Sequence, residues 1–234
     1  MLTCRECDLA KGRTRVVPGE GPDDATVMFI GEAPGQNEDR LGRPFVGAAG
    51  QFLDELLGLA GLKRSEVYIC NVIKCRPPGN RDPLPAEIMS CKPWLEQQIA
   101  LKQPKVIVTL GRYSMARWFP GQSISRIHGQ PAEKDGVLVY PMYHPAAALH
   151  QAALKETIQN DMRQLGRLLQ TLDGRAPAEG TPVTPIPPPA APAPPLELRS
   201  QPTQTSLAAA LPAAAAAAQP PTPKPDESQQ LSMF

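Results

Sequence analysis

Residues 25–31 read ATVMFIG, a short apolar run that ends in a glycine. A run of this length, without alternation of polar and apolar residues, is typical of a strand that is buried on both faces. Similar runs occur at residues 67–72, 106–110 and 137–143, and each continues into a segment with glycine or polar residues. The stretch therefore predicts the first strand of a parallel sheet, with a functional loop that begins at Gly31.

Helical patterns separate these apolar runs. Residues 51–59 carry leucines at helical spacing, residues 85–101 begin with a proline, and residues 112–119 form a third candidate segment. The last helix, at residues 153–172, has a single apolar stripe, which we interpret as core packing. Strands that alternate with helices predict a parallel sheet with helices on both faces.

The composition divides the 234 residues into one globular domain and a tail. Residues 1–173 contain nearly all the large apolar side chains, whereas residues 174–229 are rich in proline and alanine and predict a disordered linker. The net charge is only +1, so any nucleic-acid surface must come from local clusters of Arg and Lys. No apolar run is long enough to cross a bilayer, and we expect a cytoplasmic protein without a membrane partner.

Four of the five cysteines form a metal-binding pattern. Cys4 and Cys7 are a C-x2-C pair in a polar segment, and Cys75 and Cys91 bracket a proline-rich loop. Four thiolates can bind one zinc ion or hold an iron–sulfur cluster, and the spacing alone does not distinguish the two. Cys70 lies inside a predicted strand, and we interpret it as a small buried hydrophobic residue.

Three loops that follow predicted strands carry most of the chemically active side chains. They span residues 31–50, 71–81 and 144–150. In open α/β sheets the ligand lies beyond the carboxyl ends of the strands, so these loops are expected to converge on one crevice.

Three motifs together resemble the family 4 uracil-DNA glycosylases. They are GEAPGQNEDRLGRPFVG at 31–47, YICNVIKCRPPGNR at 68–81 and YHP at 143–145, and the resemblance extends over residues 3–172. It implies an α/β/α sandwich around a four-stranded, mostly parallel central sheet. It also implies excision of uracil from DNA, in base excision repair, and a structural [4Fe-4S] cluster bound by Cys4, Cys7, Cys75 and Cys91.

A pocket for an extruded base needs an aromatic face and polar groups that match the base edge. Phe45 fits the stacking role, with an ordinary core phenylalanine as the alternative. Asn71 can donate to uracil O4 and accept from N3–H, with a backbone-capping asparagine as the alternative. His144 can donate to uracil O2, and Ala33 and Gly35 allow the backbone of the first loop to approach the base.

Glu32 and Glu38 are the candidates at the sugar end of the bond. Either carboxylate could orient the attacking water and offset the positive charge that develops on the sugar. A phosphate-binding loop is the alternative for this segment, but three acidic residues argue against an anion there.

The DNA-binding residues are expected to be few and local. Arg76 and Arg81 lie in the second loop, and Arg126 lies in a basic segment at 123–130 that would line the DNA path. Leu149 is the candidate wedge that enters the duplex where the base leaves.

The last five residues, QLSMF, resemble the short peptides by which bacterial repair proteins bind the sliding clamp. Residues 230–234 therefore predict a clamp-binding peptide at the end of the linker, and the protein is otherwise expected to be a monomer. The side chains that would contact the clamp are Gln230, Leu231, Met233 and Phe234.

Two other functions remain open at this point. The same fold could act on deaminated adenine or guanine, or could trap uracil covalently. Alternatively, the chain could be a non-catalytic iron–sulfur adaptor that contacts a polymerase or the clamp. An adaptor has no need of Phe45, Asn71 and His144 in separate loops, which favours the enzyme.

Overall fold

A computed structural model describes residues 1–172 of the chain. The strands are β1 (Val27–Gly31), β2 (Tyr68–Asn71), β3 (Val106–Leu110), β4 (Ala132–Lys134) and β5 (Val137–Met142). The helices are α1 (Leu9–Gly12), α2 (Gln36–Leu41), α3 (Ala48–Leu59), α4 (Pro85–Lys102), α5 (Arg112–Met115), α6 (Ile124–Ile127), α7 (Pro145–His150) and α8 (Ala153–Leu172). The predictions for residues 174–229 and 230–234 lie outside the described residues.

The sheet has the strand order β2-β1-β3-β5-β4. β2, β1, β3 and β5 are parallel, and their register aligns Gly31 with Asn71 at the edge where the functional loops begin. The predicted parallel sheet is therefore confirmed. A fifth, antiparallel strand adds to the four expected, because residues 132–134 form a hairpin with β5 through Asp135 and Gly136, both with positive φ.

Helices cover both faces of the sheet, as the alternating pattern predicts. On one face Phe29, Ile69 and Val108 pack against α3 and α8, whose buried side chains include Leu56 and Met162. On the other face Met28, Ile107 and Val139 pack with Leu95 of α4 and Trp118 in the segment after α5. Burial on both sides explains why the strands are apolar along their whole length. The apolar stripe of α8 is core, as predicted.

The helices differ from the sequence prediction in several regions. The predicted helix at 112–119 ends at Met115, and the chain then turns so that Trp118 and Phe119 enter the core. Residues 123–130 and 145–149, which we expected to be loops, contain α6 and α7. Both are single turns of helix or little more, which carry too few residues to show a helical period.

The outer edge of β2 is covered by the chain's own N-terminal segment. The backbone of Glu20 forms two hydrogen bonds with that of Ile69, with N···O distances of 2.9 and 2.8 Å. The opposite edge is the three-residue strand β4. Across residues 1–172, no helix combines the length and the apolar character needed to span a membrane.

Candidate active site

One cavity of about 350 Å³ lies at the carboxyl ends of the parallel strands. It is lined by residues of all three loops that the sequence singles out. They are Glu32, Ala33, Pro34, Gly35, Glu38, Phe45, Ala49, Asn71, Pro77, Asn80, Arg81, His144 and Ala146. The fold therefore brings the predicted stacking ring, the amide, the imidazole and both glutamates to one cavity.

The loop that carries Phe45 is held in a strained conformation. Phe45 has φ of 50°, which a residue with a side chain rarely adopts. Arg64 donates a hydrogen bond to the carbonyl oxygen of Pro44 at 2.6 Å, next to the strained residue. This conformation also requires a glycine at position 50, because a Cβ on Gly50 would lie 2.0 Å from the carbonyl oxygen of Phe45. These contacts fix the ring against His144, with centroids 5.5 Å apart and an interplanar angle of 26°.

Gly31 creates the space in which Phe45 and Asn71 meet. A Cβ at this position would lie 2.4 Å from Oδ1 of Asn71 and 2.6 Å from Cζ of Phe45. The absence of a side chain at the end of β1 is therefore what allows the ring and the amide to face the same cavity.

Asn71 presents an unused hydrogen-bond acceptor. The residue is 1% exposed, and Oδ1 is one of two buried side-chain oxygens without a partner among residues 1–172; the other is Oγ1 of Thr109. A buried polar atom without a partner is costly, so such an atom beside a cavity marks a place for a donor from a ligand.

The tautomer of His144 follows from its position at the start of α7. Its Nδ1 accepts a hydrogen bond from the backbone N–H of Ala146 at 3.1 Å, and Pro145 occupies the first helical position. The proton of the neutral ring therefore lies on Nε2. Burial lowers the pKa of His144 to about 4, against an opposing effect of Glu38. At neutral pH the site thus contains an uncharged imidazole that can donate from Nε2.

The two glutamates have different environments. Glu38 Oε1 accepts hydrogen bonds from the backbone N–H groups of Val46 and Gly47, both at 2.8 Å, so this carboxylate holds the loop around Phe45. Glu32 is partly buried, and burial raises its pKa; Asp82 raises it further. Arg112 opposes both effects. Glu32 is the carboxylate whose oxygens are not engaged in shaping the loop.

The four residues predicted to contact DNA occupy three places. Arg81 lies at the cavity, where it forms two hydrogen bonds to Glu87, at 2.9 and 2.6 Å. Arg76 is close by and donates to the side chain of Asn80. Arg126 is exposed on α6, away from the cavity lining. Leu149 is 51% exposed on α7, the helix that begins at His144.

The four predicted ligand cysteines line a second, smaller cavity. Cys4, Cys7, Cys75 and Cys91 surround it. Arg13 Nη1 donates to Sγ of Cys75, and the backbone N–H of the residue before Cys75 donates to Sγ of Cys91, both at 3.3 Å. Burial raises the pKa of Cys91 to about 11, and the backbone N–H and the charge of Lys74 oppose this effect.

The four thiols form the donor set of this cavity, which measures about 20 Å³. Within residues 1–172, no group of three or more Cys, His, Asp or Glu side chains is arranged to hold a metal ion. Four cysteines, with N–H donors to two of the sulfurs, are a donor set that zinc and iron–sulfur clusters both use. Cys70 does not line this cavity and is fully buried in the core, which agrees with its interpretation as a small buried hydrophobic residue.

Comparison with known proteins agrees with this geometry. A model of the uracil DNA glycosylase superfamily matches residues 18–165, so the chain belongs to that superfamily of base-excising enzymes. A type-4 uracil-DNA glycosylase of Sulfurisphaera tokodaii is 45% identical over 182 residues, which cover 73% of this chain and 82% of the relative. That of Archaeoglobus fulgidus is 45% identical over 177 residues, or 72% and 89%. The chain is a member of the type-4 uracil-DNA glycosylases, and the resemblance seen in its motifs is confirmed.

Sequence reasoning missed several residues that line the cavity. Ala49, Pro77, Asn80 and Ala146 have side chains without a chemical signature, or lie in turns. For Asn80 the sequence does carry a signal, because a Gly-Asn pair is typical of a turn. In the structure both Gly79 and Asn80 have positive φ.

Proposed function

We propose that the chain hydrolyses the N-glycosidic bond of uracil in DNA and leaves an abasic site, in base excision repair. The observation that carries the proposal is the buried Oδ1 of Asn71, which has no hydrogen-bond partner among residues 1–172 and belongs to a residue of the same cavity as the neutral ring of His144. The type-4 relatives bear the same activity in their names.

Asn71 accounts for the choice of base. Uracil presents a donor at N3 and an acceptor at O4, whereas cytosine presents an acceptor and a donor at the corresponding positions. Oδ1 of Asn71 would accept from N3–H, and its Nδ2 would donate to O4. Cytosine would leave Oδ1 and Nδ2 of Asn71 without hydrogen-bond partners in a buried site. The cost of these unpaired groups disfavours the binding of cytosine.

Phe45 stacks on the base, and His144 stabilises the negative charge that develops on the departing uracil. The ring of Phe45 offers an apolar face for the extruded pyrimidine. When the bond from C1′ to N1 breaks, its electron pair passes to uracil and negative charge develops on O2. The neutral imidazole donates to that oxygen from Nε2, and because the Ala146 N–H occupies Nδ1 the donor is already oriented.

Glu32 and Glu38 have different roles at the sugar end of the glycosidic bond. We assign Glu32 to the attacking water and to the positive charge on the sugar, since its carboxylate is not tied to the backbone. Glu38 keeps Phe45 in place through the N–H groups of Val46 and Gly47. The water oxygen bonds to C1′, and its proton passes to solvent or to the departing base.

We further propose that Cys4, Cys7, Cys75 and Cys91 hold a [4Fe-4S] cluster. Such a group would supply a cross-link between the N-terminal segment and the loop that begins at Asn71, with no part in bond cleavage. The N–H donors to Cys75 and Cys91 support this assignment. Five unpaired cysteines also support a cytoplasmic location, where thiols stay reduced.

The DNA would reach the cavity along a surface marked by Arg76, Arg81 and Arg126, with Leu149 entering the space that the base leaves. Arg81 would have to exchange Glu87 for a phosphate, and the buried carboxylate of Glu87 would then keep the hydrogen bond from the N–H of Leu84. Its position at the cavity supports this role.

The sliding clamp remains a proposed partner through Gln230, Leu231, Met233 and Phe234. The sequence at the end of a proline- and alanine-rich segment supports it. Replacement of Leu231 and Phe234 by alanine in the full chain is expected to abolish binding to immobilised clamp while excision from a short oligonucleotide is unchanged. Equal clamp binding by both proteins would remove this partner.

The test of the main proposal is incubation of the iron-containing protein with an end-labelled oligonucleotide that carries one uracil, followed by alkali. We expect cleavage at the uracil and none in the matched thymine strand. A panel with hypoxanthine, xanthine and cytosine separates uracil excision from action on other bases, and a band of protein-linked DNA would indicate covalent trapping. An intact uracil strand would favour the non-catalytic adaptor.

A further inference from the structure

Lys74 is an unusual residue for the interior of a protein. It is 1% exposed, and lysine is almost never fully buried unless its ammonium has partners. Its Nζ donates to the backbone carbonyl of Asn71 at 2.7 Å and to Oε1 of Gln98 at 2.6 Å. A third interaction lowers the pKa of Cys70, against the larger effect of burial, which raises it. The ammonium therefore donates two hydrogen bonds, both to neutral oxygens.

The two oxygens that accept hydrogen bonds from this ammonium are neutral, so they do not balance its charge. Burial of an ammonium is costly, and replacement of such a group by a well-packed apolar side chain is often neutral or favourable. The structure instead shows what the charge holds. The Asn71 carbonyl belongs to the residue whose side chain faces the base cavity, and Gln98 is itself anchored to the carbonyl of Pro18 at 2.7 Å and to the hydroxyl of Tyr68 at 3.0 Å.

The backbone of Lys74 connects this network to the cysteine cavity. Its N–H donates to Sγ of Cys91 at 3.3 Å, and its carbonyl accepts from Val17 at 2.8 Å. On the strand side, the N–H of Val72 donates to the carbonyl of Gly31 at 3.0 Å. The peptide that follows Asn71 is thus fixed from two directions, by β1 and by the ammonium.

We propose that Lys74 is a positioning residue for base recognition, which holds the Asn71 backbone in place and connects it to the cysteine cavity. This inference rests on the proposed function, because it assigns Lys74 to the reading of uracil by Asn71. Removal of the ammonium leaves the carbonyl of Asn71 without its donor and lets the amide shift. A shift of well under 1 Å is enough to weaken two hydrogen bonds to a base.

The test compares Lys74→Met with the wild-type holoprotein. Met has a similar length and no donor. Lys102→Met is the matched control, because Lys102 is also a largely buried lysine near Tyr68, lying 4.7 Å above its ring, but it contacts Asp23 and Pro22 instead of Asn71. Three quantities are measured well below the unfolding temperatures: iron content, single-turnover excision rate, and affinity for duplexes with 2′-fluoro-2′-deoxyuridine or 2′-fluoro-2′-deoxycytidine at one position.

For Lys74→Met we expect the single-turnover rate per iron-loaded protein to fall about tenfold or more, as for the loss of a buried hydrogen bond. The preference for the fluorinated uridine over the fluorinated cytidine should fall by a similar factor, since the slowly cleaved uridine analogue reports recognition without chemistry. Lys102→Met should keep the wild-type preference. A merely structural role for Lys74 would lower the unfolding temperature and leave the preference unchanged.

Other results would overturn the inference. One is a folded Lys74→Met protein with a rate and a preference within twofold of wild type; another is a rate loss that follows iron loss alone. If Lys74→Met does not accumulate as folded protein, Lys74→Gln, which keeps a shorter donor, is compared with Lys102→Gln under the same criteria. Failure of the wild-type protein itself to excise uracil would refute the proposed function, which is a distinct outcome.

Discussion

At the scale of single residues, replacement of Asn71 is expected to reduce uracil excision strongly. Asn71→Asp replaces the Nδ2 donor by an oxygen and places a carboxylate where the residue is 1% exposed. We expect the single-turnover rate on uracil to fall roughly a hundredfold, since the donor to O4 is lost and a buried charge is added. The rate is measured with enzyme in excess over a uracil oligonucleotide. Unchanged activity and unchanged discrimination against cytosine would remove Asn71 from the pocket.

The two glutamates are separated by a comparison of three variants. Glu32→Gln should reduce the rate tenfold to a hundredfold, as for loss of a catalytic carboxylate, and should remove the acid limb of the pH–rate profile, because burial raises the pKa of Glu32. Glu38→Gln keeps an oxygen that can accept from Val46 and Gly47, so it should lose less than Glu38→Ala. Equal losses in both Gln variants would contradict this division.

His144 links the site to the stability of the fold. Its pKa is about 4 in the folded chain and near 6.5 when unfolded, so between these values the unfolded state binds the proton first. The corresponding stability is fully present above pH 6.5 and is lost as the pH falls toward 4, by an amount on the order of 2 kcal/mol. Urea unfolding at several pH values should show that the unfolding free energy of His144→Gln does not fall with pH in the way that the wild-type value does.

The same helix provides the control for that measurement. His150→Gln removes an exposed imidazole from α7, at the opposite end from the cavity. If the difference in unfolding free energy between wild type and His144→Gln stays constant from pH 7 to pH 4, the ring is not held neutral by its surroundings.

At the scale of secondary structure, the end of β1 is a position where a side chain would displace two residues of the site. Gly31→Ala would place a methyl group 2.4 Å from Oδ1 of Asn71 and 2.6 Å from the ring of Phe45. We expect excision to fall by at least about tenfold, because the ring and the amide must separate. Gly58→Ala is the control, since a Cβ there has no atom within 4 Å; inside α3 it should stabilise the fold by about 0.5–1 kcal/mol. Wild-type excision by Gly31→Ala would show that the pocket can rearrange without cost.

The sequence predicts these elements to different degrees, for physical reasons. The four parallel strands are apolar throughout because both their faces are covered, and that signal needs no knowledge of the fold. α7 is missed because its N-cap is His144 rather than a Ser, Thr, Asp or Asn, and because six residues show no period. β4 is too short for an alternation signal, although the Asp135-Gly136 pair could have indicated a hairpin.

Within the site, the sequence predicts residue types but not the contacts among them. The roles of Phe45 and Asn71 could be proposed from their chemistry and their place after strands. The backbone hydrogen bonds of Glu38 could not, because they require the loop to fold back over eight residues onto its own start. The buried ammonium of Lys74 was missed for the same reason, since its partner Gln98 lies 24 residues away on α4.

At the scale of the whole molecule, the cysteine cavity joins two segments that are distant in sequence. Cys75→Ser should reduce the iron content and lower the free energy of unfolding by several kcal/mol, as expected where metal binding and folding are coupled. Cys70→Ala, which changes a buried thiol outside that cavity, should retain its iron. Visible absorbance, iron analysis and thermal unfolding measure these effects. Full iron in Cys75→Ser would exclude this cysteine as a ligand.

Within residues 1–172, the two borders of the sheet are the places where a second molecule could add a strand. One border is sealed by the backbone bonds between Glu20 and Ile69, and the other is three residues long and carries the exposed charges of Glu133 and Lys134. Among the residues described, neither border offers a second molecule an extended row of free peptide groups to continue. Light scattering of concentrated samples should therefore report a single small species, and mixtures of tagged and untagged chains should not co-purify.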